Sequence, residues 1–138
     1  MKMVRRLGFV AAACLFAAPV LADVYECEVP EMDANGNWLP TVVVVEHDAA
    51  TNEVTVYDPL IKHYKGAPIP AKVETSNATR ITYTWRLDGM KDISNQIVNQ
   101  SYRLTIRKDG LTAKVSGKAL GFANSVEEAA GRCKKRKG

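Results

Sequence analysis

The feature that most constrains the fold is an unbroken alternation of apolar and polar side chains over residues 80–87. The two sets are Ile81, Tyr83, Trp85 and Leu87 on one side, and Arg80, Thr82, Thr84 and Arg86 on the other. Because successive side chains of a β-strand point to opposite faces, this pattern predicts a strand that buries one face and exposes the other. The segment is the clearest strand in the sequence.

The same alternation returns in residues 102–106 and 111–115, which flank the dipeptide Asp109-Gly110. An Asp-Gly pair between alternating segments is a strong hairpin signal, because such residues accept the positive φ that tight turns require. The register set by this turn places Arg103, Thr105 and Arg107 opposite Ser116, Lys114 and Thr112. These segments predict an antiparallel pair of strands with a basic outer face.

Weaker patterns complete the secondary structure. Three further strands are predicted at residues 24–29, 41–47 and 53–57. The second of these contains four consecutive valines, which suits a strand covered on both faces. Residues 58–70 are rich in proline and glycine and are expected to be irregular. The spacing of Ser125 and Glu128 matches a capping box and predicts a short C-terminal helix over residues 125–130.

Residues 1–22 have the layout of a cleavable secretory signal. Their basic start is Lys2, Arg5 and Arg6. Residues 7–21 are uncharged but fall short of the roughly 20 apolar residues of a membrane helix, so no transmembrane segment is expected after cleavage. We expect cleavage after Ala22 and a secreted or periplasmic mature protein that begins at Asp23. Lipid attachment at Cys14 is the alternative.

Cys27 and Cys133 are the two cysteines that remain in the predicted mature chain. In an exported protein two cysteines typically form one disulfide, which here would join the first strand to the last segment. A reactive thiol pair is less consistent with this sequence because the Cys-x-x-Cys spacing is missing.

Together these patterns predict one mostly β domain over residues 23–138. We expect a small antiparallel β-barrel or sandwich of six to eight strands, with one short C-terminal helix and one disulfide. The barrel is favoured because a disulfide between the first and last elements suits closure. Residues 134–138 are predicted to be a mobile basic tail.

Charge is distributed unevenly along the chain. Residues 23–58 contain nine acidic residues and no Lys or Arg, whereas residues 59–138 contain sixteen basic and six acidic residues. The domain is therefore expected to carry oppositely charged regions.

Six cations of the basic half are expected on one outer sheet face: Arg80, Arg86, Arg103, Arg107, Lys114 and Lys118. A basic face of this kind suits an anionic envelope polymer or an acidic protein. An ordinary solvated face is the competing interpretation. Nucleic acid is not expected as a partner, because Tyr83 and Trp85, which could stack on bases, belong to the inward set.

The irregular residues 58–70 are a second candidate site. His63 and Tyr64 could anchor a partner there, or the segment could only cover an open end of the barrel. A small hydrolase built from His63, Lys62 and Asp58 is the catalytic alternative. The chain has only two histidines, His47 and His63, without a metal-binding spacing, and we assign no catalytic residue, metal or cofactor.

The segment Tyr25-Glu26-Cys27, with a second cysteine near the C-terminus of a small β domain, resembles the exported C-type lysozyme inhibitors of bacteria. That resemblance implies an antiparallel barrel that acts by binding a protein. The family's inhibitory Ser-Gly-x-x-Tyr motif is missing, and the nearest stretch is residues 76–80. No inhibitory residue is therefore transferred. The sequence is interpreted as an exported, non-catalytic binding protein.

Overall fold

The computed structural model describes residues 22–30, 39–121 and 126–137, which form eight strands and one helix. In chain order these are β1 (Ala22–Glu28), β2 (Val42–Asp48), β3 (Val54–Tyr57), α1 (Pro59–Lys65), β4 (Ile69–Ser76), β5 (Arg80–Lys91), β6 (Ile97–Arg107), β7 (Thr112–Ala119) and β8 (Val126–Lys137). Each strand pairs antiparallel with the next, and β8 returns to pair with β1. The fold is therefore a closed antiparallel barrel and not a sandwich.

The inward side chains of the strands fill the barrel. On β5 the predicted apolar set is buried, and Tyr83 and Trp85 pair across the sheet with Leu104 and Tyr102 of β6. The Trp85 and Tyr102 rings stack with centroids 5.6 Å apart. An eight-stranded barrel has an interior just wide enough for side chains, so these rings occupy the space that a wider barrel would leave open.

The β6–β7 hairpin has the register that the Asp109-Gly110 turn predicts. Thr105 pairs with Lys114, and Arg103 pairs with Ser116. Gly110 has φ 76°, a conformation that glycine adopts without steric cost. This register holds the inward residues of both strands in the core and the basic residues outside.

Closure of the barrel joins the acidic and basic ends of the chain. Cys27 and Cys133 lie directly opposite each other on β1 and β8 and form the disulfide. Glu26 lies opposite Lys134, and Glu28 opposite Arg132. The basic residues predicted as a tail thus belong, up to residue 137, to a paired strand, because β1 offers them backbone partners and opposite charges.

The predicted C-terminal helix at residues 125–130 is wrong. Residues 126–130 are the start of β8, and Ala129 is buried opposite Val115 of β7. Pairing of residues 126–130 with β7 and burial of Ala129 outweigh the local capping-box signal. Ser125 itself lies outside the described residues.

The one helix occurs instead in the segment expected to be irregular. Asp58 caps α1 by accepting a hydrogen bond from the Ile61 backbone N–H at 2.8 Å, and Pro59 occupies the first turn. Gly66 ends the helix with φ 73°. These are ordinary start and stop residues for a helix. Among the described residues, no helix has the length and apolar character needed to span a membrane.

Candidate functional site

The six predicted cations lie together on the outside of the barrel. Arg80 and Arg86 are on β5, Arg103 and Arg107 on β6, and Lys114 and Lys118 on β7, and all six are exposed. Their places alternate with inward residues, so the strand geometry directs them to the outer face. We call this surface the cationic band.

Four members of the cationic band form ion pairs with exposed acids. The pairs are Arg86 with Asp88 at 2.6 Å, Arg103 with Glu74 at 2.9 Å, Arg107 with Asp109 at 3.4 Å, and Lys114 with Glu128 at 3.9 Å. All eight side chains are at least 42% exposed. Exposed ion pairs contribute only about 0–1 kcal/mol each, so they lower the charge of the band without locking its side chains.

Arg80 and Lys118 have no acidic partner within the described residues. Arg80 also lies directly opposite Arg107 across the β5–β6 ladder. Like charges placed opposite each other are unfavourable, and an anion between them would relieve the repulsion. Arg80 and Lys118 are therefore the two cations of the band whose charge no acid among the described residues balances.

The residues of the hydrolase alternative are not brought together. Asp58 is 3% exposed and is occupied as the cap of α1, while Lys62 and His63 are exposed on that helix. The Lys62 backbone N–H donates a helical hydrogen bond to the Asp58 carbonyl at 2.9 Å, but in the described part of the chain no hydrogen bond or ion pair joins the Asp58 carboxylate to the side chain of Lys62 or His63. The His63 ring instead meets the Tyr64 ring edge-on, with centroids 4.7 Å apart. The geometry gives the three residues no shared reaction centre.

Helix α1 covers one end of the barrel. Ile61 is fully buried in the core, and Leu60 and Tyr64 pack against it. The Tyr64 hydroxyl donates a hydrogen bond of 3.4 Å to the Lys91 carbonyl at the end of β5. His63 is exposed on α1, whereas Tyr64 helps to hold α1 against the barrel. The two predicted binding residues therefore have different environments.

Burial raises the pKa of Asp58 from 3.8 to about 6, and the hydrogen bonds from the Ile61 and Leu60 backbone lower it by less. The folded state then binds a proton more tightly than the unfolded state. The buried charge therefore destabilises the fold above pH about 6, and this penalty disappears as the pH falls toward 3.8.

We expect Asp58→Asn to remove this pH dependence, because asparagine caps a helix as well as aspartate but does not titrate. Between pH 7.5 and 4.5 the free energy of unfolding of the native protein, relative to that of Asp58→Asn, should rise by about 2 kcal/mol. Urea denaturation of both proteins at the two pH values measures this difference. Parallel pH profiles would contradict the assignment.

The opposite end of the barrel carries a cleft of about 270 Å³. Its lining consists of Asp23, Tyr25, His47, Ser76, Ile81, Lys108, Leu111 and Lys135. These residues come from β1, β2, β4, β5, β8 and the β6–β7 turn. We call this site the mouth cleft.

A hydrogen-bonded chain fixes the inner wall of the mouth cleft. His47 Nε2 donates to Asn52 Oδ1 at 2.7 Å, and Nδ1 shares a hydrogen bond of 2.9 Å with the Tyr83 hydroxyl. Burial raises the pKa of Tyr83, and Tyr25 and Asp23 raise it further, so the Tyr83 hydroxyl stays protonated. Both nitrogens of His47 are therefore engaged, and the ring acts as a rigid part of the wall.

The sequence patterns did not predict the mouth cleft. Lys135 was expected in a mobile tail, and Asp23 was expected at the free start of the mature chain. Only the closure of β8 onto β1 brings them within 3.8 Å of each other. The sequence does show polar residues next to the ends of several strands. Without the strand order, however, it does not show that these ends meet at one end of the barrel.

No protein-family model, curated protein or solved structure matches this chain. The resemblance to the C-type lysozyme inhibitors therefore stays a prediction. In the part of the chain that the structure describes, no three His, Cys, Asp or Glu side chains are grouped as metal ligands.

Proposed function

We propose that this protein is an exported, non-catalytic binding protein that recognises an anionic polymer of the cell envelope through the cationic band. The observation that carries the proposal is the placement of six exposed cations from three neighbouring strands on one outer face. An anionic polymer presents repeated charges that several of these cations would contact at once.

The shape of the cationic band favours an extended ligand. Neighbouring strands lie about 4.8 Å apart, so cations on three strands cover a width of about 10 Å. Along β6, Arg103 and Arg107 are four residues apart and therefore about 13 Å apart. A small ion would engage only part of this surface, whereas a polymer would follow it.

The distribution of charge around the barrel favours binding of a polyanion through the cationic band. Glu26 and Glu28 lie on β1 and Glu46 lies on β2, where each alternates with an inward residue. In a closed ring of eight strands β2 lies across the barrel from β6. Lys134 and Arg132 of β8 lie opposite Glu26 and Glu28, so the side of the barrel away from the band carries charges of both signs, and a polyanion is attracted to the band in preference to that side.

The predicted export places the protein beside such polymers. The Cys27–Cys133 disulfide supports this location, because disulfides persist in oxidising compartments and are rare in the cytosol. Residues 1–21 of the predicted signal lie outside the described residues. Cleavage after Ala22 is therefore part of the proposal.

The proposal predicts salt-sensitive retention on an immobilised sulfated polymer such as heparin. Reversing the two unpaired cations, with Arg80→Glu and Lys118→Glu together, should weaken binding at low salt by about tenfold or more, equivalent to about 1.4 kcal/mol. The salt concentration at elution and the dissociation constant measure the effect.

The matched control reverses Lys62 and Lys65, two exposed lysines of α1 that lie outside the cationic band. This variant has the same net charge as the test variant and should elute close to the native protein. Equal weakening of heparin binding in both variants would show that only the net charge of the protein matters. That result would contradict recognition by the cationic band. Absence of retention at low salt would contradict it as well.

A further inference from the structure

We propose that the mouth cleft is a second binding site, independent of the cationic band, for a small organic anion that has one carboxylate and a short apolar or aromatic body. The juxtaposition that carries the inference is two lysine ammonium groups beside apolar side chains at the one barrel end that α1 does not cover. Barrel mouths are common places for small-molecule sites.

Cationic donors of the mouth cleft are available to a ligand. Lys108 lies in the β6–β7 turn and forms no ion pair within the described residues. The Lys135 ammonium is 3.8 Å from the Asp23 carboxylate and 5.7 Å from the centre of the Tyr25 ring. The first of these distances is long for a hydrogen-bonded ion pair, so Lys135 keeps donor capacity for a second anion.

The charge of the mouth cleft favours a singly charged anion. The two lysines and one aspartate of the lining contribute a formal charge of 2 − 1 = +1. A carboxylate balances this charge, whereas a phosphate dianion would bring a second negative charge near Asp23. The Asp23 carboxylate thus selects against highly charged ligands.

Apolar side chains give the ligand body a surface to pack against. Tyr25 and Ile81 are each 4% exposed and line the cleft together with the partly buried Leu111. The volume of about 270 Å³ lies just below the range of roughly 300–1,000 Å³ seen for drug-sized ligands. The site therefore fits a body of about one ring.

The inner wall is preformed. His47 is held by Tyr83 and Asn52, so its ring does not have to be ordered when a ligand enters. The side-chain hydroxyls of Tyr25 and Ser76 form no hydrogen bond with the described residues and remain as donors to the ligand. A fixed wall with free donors lowers the entropic cost of binding.

Benzoate is the probe for this site, with acetate, benzyl alcohol and inorganic phosphate as comparisons. Titrations of the oxidised protein are followed by NMR through the backbone amide signals. Benzoate is expected to shift signals of residues around the mouth cleft at millimolar concentration and to bind more tightly than the other three probes. Acetate lacks the ring, benzyl alcohol lacks the charge, and phosphate lacks the ring and carries more charge.

Replacing both lysines, with Lys108→Gln and Lys135→Gln, should weaken benzoate binding by about tenfold. The control replaces Lys114 and Lys118 with glutamine, which removes the same charge from the cationic band and should leave benzoate binding unchanged. Thermal unfolding verifies that both variants are folded. If Lys135→Gln prevents folding, Lys108→Gln alone is used, and weaker benzoate binding with an unchanged affinity for benzyl alcohol is expected.

Three outcomes would overturn the proposal. The first is that benzoate shifts no signal around the mouth cleft. The second is that acetate, phosphate or benzyl alcohol binds as tightly as benzoate. The third is that the cleft variant and the band variant lose benzoate affinity equally. Retention on heparin is measured separately, so failure of this site and failure of the cationic band are distinguishable.

Discussion

Replacing Cys27 and Cys133 with serine should lower the free energy of unfolding by about 4 kcal/mol. The disulfide closes a loop over a sequence separation of 106 residues. On the chain-entropy account, a loop of this size restricts the unfolded chain by up to about 4.7 kcal/mol. The serine variant also loses burial, since Cys27 is fully buried in the core.

Urea denaturation under oxidising conditions measures this difference. The control is the native protein treated with a reductant, which should unfold at nearly the same urea concentration as the double serine variant. Coincident transitions of the oxidised native protein and the double serine variant would show that β1 and β8 hold together without the covalent bond.

Much of the barrel could be predicted because its strongest strands carry their own signal. In β5 and β6 the inward and outward residues alternate for several positions, and the Asp109-Gly110 turn fixes the register of β6 against β7. In such a segment the local pattern and the tertiary contacts agree, so the alternation alone correctly predicted that the basic residues are exposed. The cysteine pair supplied the link between the first and last strands.

Strand β4 could not be predicted because its inward residues are only partly buried. Ile69, Ala71 and Val73 alternate with exposed residues, and Pro70 interrupts the usual strand composition. Helix α1 was missed for a related reason, since seven residues are too few to show a helical period. Its boundaries were nevertheless present in the sequence as Asp58-Pro59 and Gly66.

The helix prediction for residues 125–130 was wrong for the opposite reason. A local helix signal was present there, but the tertiary contacts favour a strand. The capping-box spacing describes what an isolated segment favours, whereas in the closed barrel residues 126–130 pair with β7 and residues 132–137 of the same strand pair with β1. The mouth cleft depends on the same closure, and no local pattern reports which strand ends meet there. For the cationic band, the alternation within β5, β6 and β7 was enough to predict which cations face outward.

Gly131→Ala should destabilise the barrel by about 2 kcal/mol, even though alanine normally suits a strand better than glycine. A Cβ atom at residue 131 would collide with the backbone carbonyl of Glu28 on β1. Neither group is the end of a flexible side chain, so β8 and β1 must move apart next to the disulfide. Overpacking of this kind costs about 1–3 kcal/mol, more than the roughly 0.4–1 kcal/mol gained when alanine restricts the unfolded chain.

Gly117→Ala is the matched control, because this glycine also lies inside a strand and has no positive φ. Its added Cβ would lie 3.0 Å from Leu39 Cδ2 and 3.1 Å from Tyr102 Cε1, and both are side-chain atoms. Side chains shift by a few tenths of an ångström more easily than paired backbone, so the Gly117 variant should lose less stability than the Gly131 variant. Urea denaturation of the three proteins compares them. The reverse order would show that β8 and β1 separate easily at Gly131, and that the close approach of the two strands contributes little to barrel closure.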